Sequence, residues 1–354
     1  MEVHILIPND CLMSLKKSAL VNDPERNKRF VFPVRTSVVI ATKNREEALR
    51  SISLPSLVEQ GSSNFEIIIW DAGDLCRSRL IVASFSEKFA EKGIPLFHVP
   101  APRHGLVSQR NDAVRTIEGE FVFFIDDDSS LSSDGVQSVA ECFDSNPMVM
   151  GVGLVVEDLL DGKKPHKNRI SKIKELLYRA FAYRRKRVVS LSGSAKGITA
   201  PAGSAEWLSG CSMAFRKSVF NNMFFNEKLE TFGPYAMFED IEFSHRVFRH
   251  YGTPLLVASN GSVSHHSVSG SRIVGAEKKA AMYLYNRYLS MRITSADHYL
   301  MGRFSFAWAL ARSFLKLSRE CGTFATIRGF LMAAKKIGEK NNTLKDKGIG
   351  QTQS

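Results

Sequence analysis

From Thr36 onward the apolar residues fall into short unbroken runs that alternate with stretches of helical spacing. Ser37-Val38-Val39-Ile40-Ala41 is β-branched, has no polar face and is too short for a helix, which predicts a strand buried on both sides. Thr42 to Arg45 reads as a loop, and Glu46 to Glu59 carries helical spacing. The pattern then repeats. A strand from Phe65 to Trp70 ends at Asp71-Ala72-Gly73-Asp74, and a helix runs from Leu75 to Lys92. A strand from Pro95 to Val99, a helix from Val107 to Ile117 and a strand from Phe121 to Ile125 lead to Asp126-Asp127-Asp128. This alternation predicts an α/β fold with a Rossmann-like, mostly parallel central sheet and helices on both faces. Ligands of such sheets bind outside the carboxyl ends of the strands, where the clusters at Thr42–Arg45, Asp71–Asp74 and Asp126–Asp128 all fall.

Beyond a further apolar strand at 151–160 the texture changes. Lys163 to Arg187 holds eleven Lys and Arg against one acid, Glu175, with Ile170, Ile173, Leu177 and Phe181 near helical spacing. Ser190 to Gly203 is rich in Ser, Gly and Ala and reads as a loop. Trp207 to Phe215 resumes an ordered pattern, Phe238-Glu239-Asp240 opens a helix to about His250, and Leu255 to Ala258 predicts a strand followed by His265-His266. After about Ala276 the chain becomes helical and basic. In Arg303 to Arg319, Phe306, Leu310, Phe314 and Leu317 form one apolar stripe, and Arg312, Lys316 and Arg319 face away from it, as in an amphipathic helix with a cationic polar face. The expected organisation is an N-terminal extension (1–35), an α/β half (36–160), a second half (161–275) carrying the basic insert 163–187, a C-terminal region of basic amphipathic helices (276–340) and a flexible tail (341–354).

Composition narrows the class. With 354 residues, 44% hydrophobic and 24% charged, the chain is globular rather than disordered or fibrous. Its five cysteines are far apart and lack CxxC spacing, which argues against a zinc ribbon or a redox dithiol and for reduced thiols. No run of 18 uninterrupted apolar residues occurs, and Met1 to Pro8 lack a basic start and a long apolar core, so the expected location is cytoplasmic. The net charge of +12 is uneven, with −7 over residues 1–160 and +19 over residues 161–354. That asymmetry points to a polyanion, either nucleic acid or an anionic membrane surface. The basic stretches have few interleaved aromatics at stacking spacing and show no helix-turn-helix or zinc-finger pattern, which favours the cytoplasmic membrane face over nucleic acid. The other reading is that the basic helices pack on the domain with their charges solvated.

Three adjacent carboxylates at a strand end repel one another unless a cation is near, and Mg²⁺ commonly takes one or two carboxylates plus substrate phosphates. Asp126-Asp127-Asp128 therefore reads as a metal–diphosphate site or as an acidic turn leading into Ser129, Ser130 and Ser132. Asp71 is either a base or ribose contact or an ordinary turn aspartate. Arg110, beside Asn111 in an otherwise apolar helix, is either a phosphate or base ligand or a solvated arginine. Glu239 and Asp240 stand at a helix N-terminus, where the dipole is expected to keep Asp240 ionised and able to accept a proton.

Together Ser37 to Arg45, Ile69 to Asp74, Gln109-Arg110-Asn111-Asp112, Phe124 to Asp128 and Phe238-Glu239-Asp240 resemble, in order and approximate spacing, family 2 glycosyltransferases of the GT-A fold over roughly residues 36 to 270. The resemblance implies a nucleotide-sugar-binding first half and an acceptor-binding, catalytic second half. It implies that Thr42, Arg45, Asp71, Arg110, Asp126 and Asp127 serve the nucleotide sugar, and that Asp126 and Asp128 form a DXD motif for Mn²⁺ or Mg²⁺. His265 is similar to a late metal-binding histidine of some members, with His266 as its substitute. Asp240 matches the general base, Glu239 a positioning group, and Trp207 and Gly210 the border of the acceptor site. One base without a protein nucleophile implies inversion at the sugar carbon, in transfer to a hydroxyl of a glycan or lipid-linked acceptor. Two other classes stay open. One is a phosphatase of the haloacid-dehalogenase type, with Asp126 as nucleophile and Asp128 as general acid. The other is a non-enzymatic membrane-binding module.

Overall fold

The structure, a computed structural model, describes residues 34–157, 186–198, 200–266 and 275–349, with side chains to residue 339 apart from that of Tyr299. The N-terminal extension up to residue 33 and the basic insert up to residue 185 lie outside the described residues. The first half runs β1 (Thr36–Thr42), α1, β2 (Phe65–Asp71), α2 (Leu75–Glu91), β3 (Leu96–Pro100), α3 (Leu106–Ala113), β4 (Phe121–Asp126), β5 (Ser129–Leu131), α4 (Gly135–Ser145) and β6 (Gly151–Glu157). Helix α1 joins Glu46–Ala48 to Leu54–Val58 through a π-helical turn at Leu49–Ser53. The second half runs β7 (Val188–Val189), β8 (Ala195–Lys196), β9 (Gly203–Ala205), β10 (Met213–Arg216), α5 (Glu239–Tyr251), β11 (Leu255–His265), α6 (Ala276–Thr294), α7 (Tyr299–Cys321) and α8 (Thr323–Ile349).

The main sheet has the order β3-β2-β1-β4-β10-β6-β11-β5, with β9 also on β11. The first four strands are parallel, as the alternating pattern predicts. Beyond them the sheet is mixed, because β10 lies antiparallel to both β4 and β6. Each central strand is apolar on both sides and splits its side chains between two cores. Val38, Ile40, Phe121 and Phe123 face one core. Val39, Val122 and Phe124 face the other. This is the period of two expected of strands covered by helices above and below.

Three elements depart from the sequence reading. The helix expected over Val107–Ile117 ends at Ala113. Val114, Thr116 and Ile117 are β-branched and poor helix formers, and the Thr116 hydroxyl takes the Ala113 carbonyl (2.8 Å). The region expected as a loop over Ser190–Gly203 contains the β7–β8 hairpin and reaches β9. The strand expected over Leu255–Ala258 continues to His265. Its polar second half, after a register shift between Val257 and Ser262, is held by backbone pairing to β6 and β5 rather than by apolar burial.

The second core is dominated by stacked rings. Phe243 of α5 lies 4.0 Å from Phe225, 5.5 Å from Phe220 and 5.0 Å from Phe215, measured between ring centres. Phe243→Ala should lower unfolding free energy by about 3–5 kcal/mol, read as a fall in the urea midpoint.

Candidate functional site

Strand register brings the polar clusters to one edge. Thr42 pairs with Asp71 across β1–β2, and Ala41 pairs with Asp126 across β1–β4, so the three carboxyl ends finish nearly level. Directly after the three aspartates, β5 pairs antiparallel with the end of β11, setting Ser129 opposite His265. The His266 N–H donates to the Asp128 carbonyl (2.9 Å) and continues that pairing. The result is a cluster drawn from both halves of the chain. One ligand atom each from Asp126, Asp128 and His265 lies within 4.8 Å of the others. His265 Nε2 is 3.2 Å from Asp128 Oδ1 and 3.8 Å from Asp126 Oδ2. The His266 ring turns aside to the Ser130 hydroxyl (2.9 Å), so the structure places His265 and not His266 in the cluster.

Arg45 closes one side. Its Nε contacts Asp127 Oδ1 (2.9 Å) and its Nη2 pairs with Asp128. The Thr42 hydroxyl donates to Asp127 Oδ2 (2.7 Å). Burial pushes the Asp127 carboxyl up to about 7; Arg45 and Thr42 oppose this, and Asp128 and Asp126 add to it. Asp71 is buried, with Oδ1 accepting the Gly73 N–H (2.7 Å) and Oδ2 beside His98 Nε2 (3.1 Å). Burial alone would raise its pKa, but His98, Ser78 and Gly73 outweigh that and hold it below the usual carboxylate range.

Helix α3 supplies the centre. The Glu230 carboxylate caps its N-terminus, accepting the Val107 and Ser108 N–H groups at 2.7 and 2.9 Å. The three polar residues that follow are all buried and each is tied down. Gln109 donates to the carbonyls of Thr42 (3.1 Å) and Trp70 (2.8 Å), fastening the helix to the ends of β1 and β2. Asn111 exchanges two hydrogen bonds with the Phe225 backbone (3.0 and 2.8 Å). Arg110 lies between them, 1% exposed. Its guanidinium reaches Asp126 (3.2 Å), Glu239 (3.2 Å) and the Gly210 carbonyl (3.3 Å), and sits 5.7 Å from the centres of the Phe124 and Phe225 rings. Arg110 is thus no solvated helix arginine. A run of three polar residues in a short helix after Gly105 is the signal that marks Gln109 and Asn111 as positioning groups, which the sequence reading left without a role.

Across Arg110 stands the start of α5. Phe238, just before it, has a left-handed backbone (φ 73°), a strained conformation for a bulky residue that turns Glu239 and Asp240 inward. Asp240 Oδ2 accepts the Gly210 N–H (3.1 Å) and Oδ1 accepts the Ile241 N–H (2.8 Å). Burial raises the pKa of Asp240 despite these bonds, so the helix terminus does not hold it at the low value expected from the dipole. Burial raises Glu239 too, reinforced by Asp240 and opposed by Arg110. A Cβ on Gly210 would come within 3.2 Å of Glu239 Oε1 and 3.4 Å of the Asp240 Cβ, which explains a glycine here. Trp207 is buried rather than lining an open surface, its indole N–H donating to the Lys196 carbonyl (2.9 Å). Arg187 lies 5.6 Å from that indole, buried, and among the described residues none hydrogen-bonds to its Nε or Nη2. In the sequence Arg187 is one of the eleven cations of the basic insert; in the structure it is buried beside Trp207.

The sequence of residues 37–224, more than half of the chain, matches the family described as glycosyl transferase family 2. A curated relative in Haemophilus influenzae, described as an uncharacterized glycosyltransferase, is 30% identical over 118 residues, which are 32% of this chain and 36% of that protein. The chain thus spans about a third of the length of that relative. A crystal structure of GalNAc-T7 with UDP, GalNAc and Mn²⁺ is similar at a TM-score of 0.50 and 10% identity, covering 80% of this chain and 58% of that one. A mannosyltransferase from Pyrobaculum calidifontis, in complex with GDP-Man and Mn²⁺, gives a TM-score of 0.48 at 16% identity, covering 86% and 87%.

His245, one helical turn beyond Asp240 and its Ser244 neighbour, offers a pH test of how α5 is held. Its Nδ1 contacts the Glu206 carbonyl (3.2 Å), so that nitrogen carries the proton, and burial lowers its pKa from 6.5 to about 4. Between those values the unfolded chain binds a proton that the folded protein does not, so stability falls as pH drops through this window. Urea midpoints measured on either side of the window should show the fall, and His245→Asn should reduce it.

Proposed function

The chain belongs to glycosyl transferase family 2, and on that premise we propose that it is an inverting transferase that moves a sugar from a nucleoside-diphosphate sugar to an acceptor hydroxyl of a glycan or lipid-linked glycan. The observation that carries this reading is the single guanidinium of Arg110, which joins the carboxylate edge of Asp126 to the Glu239–Asp240 helix start. With it, a charged leaving group and a proton acceptor have adjoining places. Family membership removes the phosphatase and the non-enzymatic alternatives as accounts of the whole chain.

On the donor side we assign Thr42, Arg45, Asp71, Arg110, Asp126 and Asp127. Two carboxylates and an imidazole with ligand atoms within 4.8 Å of one another fit a divalent cation, so Asp126, Asp128 and His265 would hold Mn²⁺ or Mg²⁺. Such an ion, as accompanies UDP in the GalNAc-T7 structure, neutralises the growing charge of a departing diphosphate. Arg110 adds a fixed positive charge to the same edge and keeps Asp126 and Glu239 from repelling one another.

On the acceptor side Asp240 accepts the proton of the attacking hydroxyl. Backbone N–H groups of Gly210 and Ile241 each hold one of its oxygens, which fixes the carboxylate plane. Its raised pKa makes it a better proton acceptor than an exposed aspartate near neutral pH. Glu239, bound to Arg110, positions the acceptor, and Gly210 and Trp207 shape the wall behind it. No nucleophilic side chain is invoked, so substitution proceeds once and with inversion.

In a thermal-shift screen of nucleoside-diphosphate sugars, one donor should raise the melting temperature only with Mn²⁺ or Mg²⁺ present, and Asp128→Ala should abolish that rise. Asp240→Asn should retain the rise and lose turnover by about 10²–10⁴-fold. Near-normal turnover in Asp240→Asn would overturn the base assignment.

A further inference from the structure

The two C-terminal helices carry apolar side chains on both sides. Toward the domain, Phe306, Leu310 and Phe330 pack on the second core, and Leu317 is buried. This is the stripe the sequence spacing shows. On the other side of α7, Leu300, Met301, Phe304, Trp308 and Leu315 stand between 62% and 78% exposed. At about 100° per residue these five share one sector roughly 100° wide, away from the inner stripe. Helix α8, the next helix in the chain, also exposes Phe324, Ile327 and Leu331. Among the described residues, nine of thirteen exposed large apolar side chains lie on these two helices. Scattered exposed leucines are ordinary, but a concentration of this kind marks an interaction surface.

Charge identifies the occupant. Between Tyr299 and Glu339 the sequence has seven Lys and Arg and two acids. Arg312, Lys316 and Arg319 border the apolar sector of α7, and Arg328, Lys335 and Lys336 lie along α8. A second copy of the chain would bring the same cations face to face, which opposes pairing. The basic insert 163–187 has the same sign of charge and so offers this face no charge complement. Aromatic and aliphatic side chains rimmed by lysine and arginine suit the boundary between lipid headgroups and acyl chains. No helix among the described residues is long and apolar enough to cross a membrane, so the helices would lie on it.

We infer that the outer face of α7 and α8 seats the protein on an anionic bilayer surface. Trp308 and Phe304 enter the headgroup boundary, and the flanking cations face lipid phosphates. This inference stands on the surface alone, so its failure would leave the transferase reading intact.

The chain reports on its own binding. Of its three tryptophans, Trp70 and Trp207 are buried and Trp308 is exposed, so red-shifted emission belongs to Trp308. The full chain should float with phosphatidylcholine–phosphatidylglycerol vesicles far better than with phosphatidylcholine alone, and its emission should shift to the blue on binding. Phe304→Ser should lower partitioning about tenfold. Arg312→Gln and Arg319→Gln should each lower it about fivefold. Metal-dependent donor binding, followed by thermal shift, should be unchanged in all three variants. Absence of flotation, or flotation indifferent to these substitutions, overturns the assignment. So does a blue shift without vesicles, whether it grows with protein concentration alongside dimers in sedimentation or is already present in dilute protein.

Discussion

A buried guanidinium holds the site together. Arg110 has almost no contact with solvent and touches two carboxylates from opposite sides, Asp126 at the end of β4 and Glu239 at the start of α5. Burying a charge is expensive unless it is paired and hydrogen-bonded, so the surrounding structure is organised to complete its partners. Glu230 caps its helix, Gln109 anchors that helix to two strand ends, and Asn111 ties it to the Phe225 backbone. The aromatic cluster beneath it supplies ring faces to the same cation. Even with Arg110 in place, burial leaves Glu239 and Asp240 reluctant to ionise. Removing the cation would leave three acids in mutual repulsion in a poorly solvated space.

The C-terminal helices brace the second half of the site. Asn286 of α6 donates to the carbonyls of Leu229 (2.8 Å) and Met237 (2.9 Å), holding both the turn that carries Glu230 and the residue before Phe238. Tyr283 of the same helix packs edge-on against Phe238 at 5.3 Å. Helix α6 is therefore part of the machinery that aims Asp240, although its sequence reads only as the start of a basic helical region.

What was legible in the sequence follows from how local the governing force is. The parallel strands announce themselves because burial on both faces demands unbroken apolar runs, and the polar clusters at Thr42, Asp71 and Asp126 mark their ends. The second half of β11 is silent because Ser259-Asn260-Gly261-Ser262 is polar, and only pairing with distant strands makes it extended. His265 could be nominated from a histidine pair, but choosing it over His266 needs the register against Ser129. Arg187 looks like one more cation in a basic run; only the tertiary structure shows it under Trp207. The outer face of α7 was hidden by the assumption of one apolar stripe per helix, when this helix has two.

The cluster of Asp126, Asp128 and His265 joins positions far apart along the chain. During synthesis the two aspartates leave the ribosome long before the histidine does, and the strand that delivers it can dock only once its last residues are free. A nascent amino-terminal half therefore emerges with this cluster incomplete. The order of translation leaves this cluster unfinished until the part of the chain that carries Asp240 has already been made.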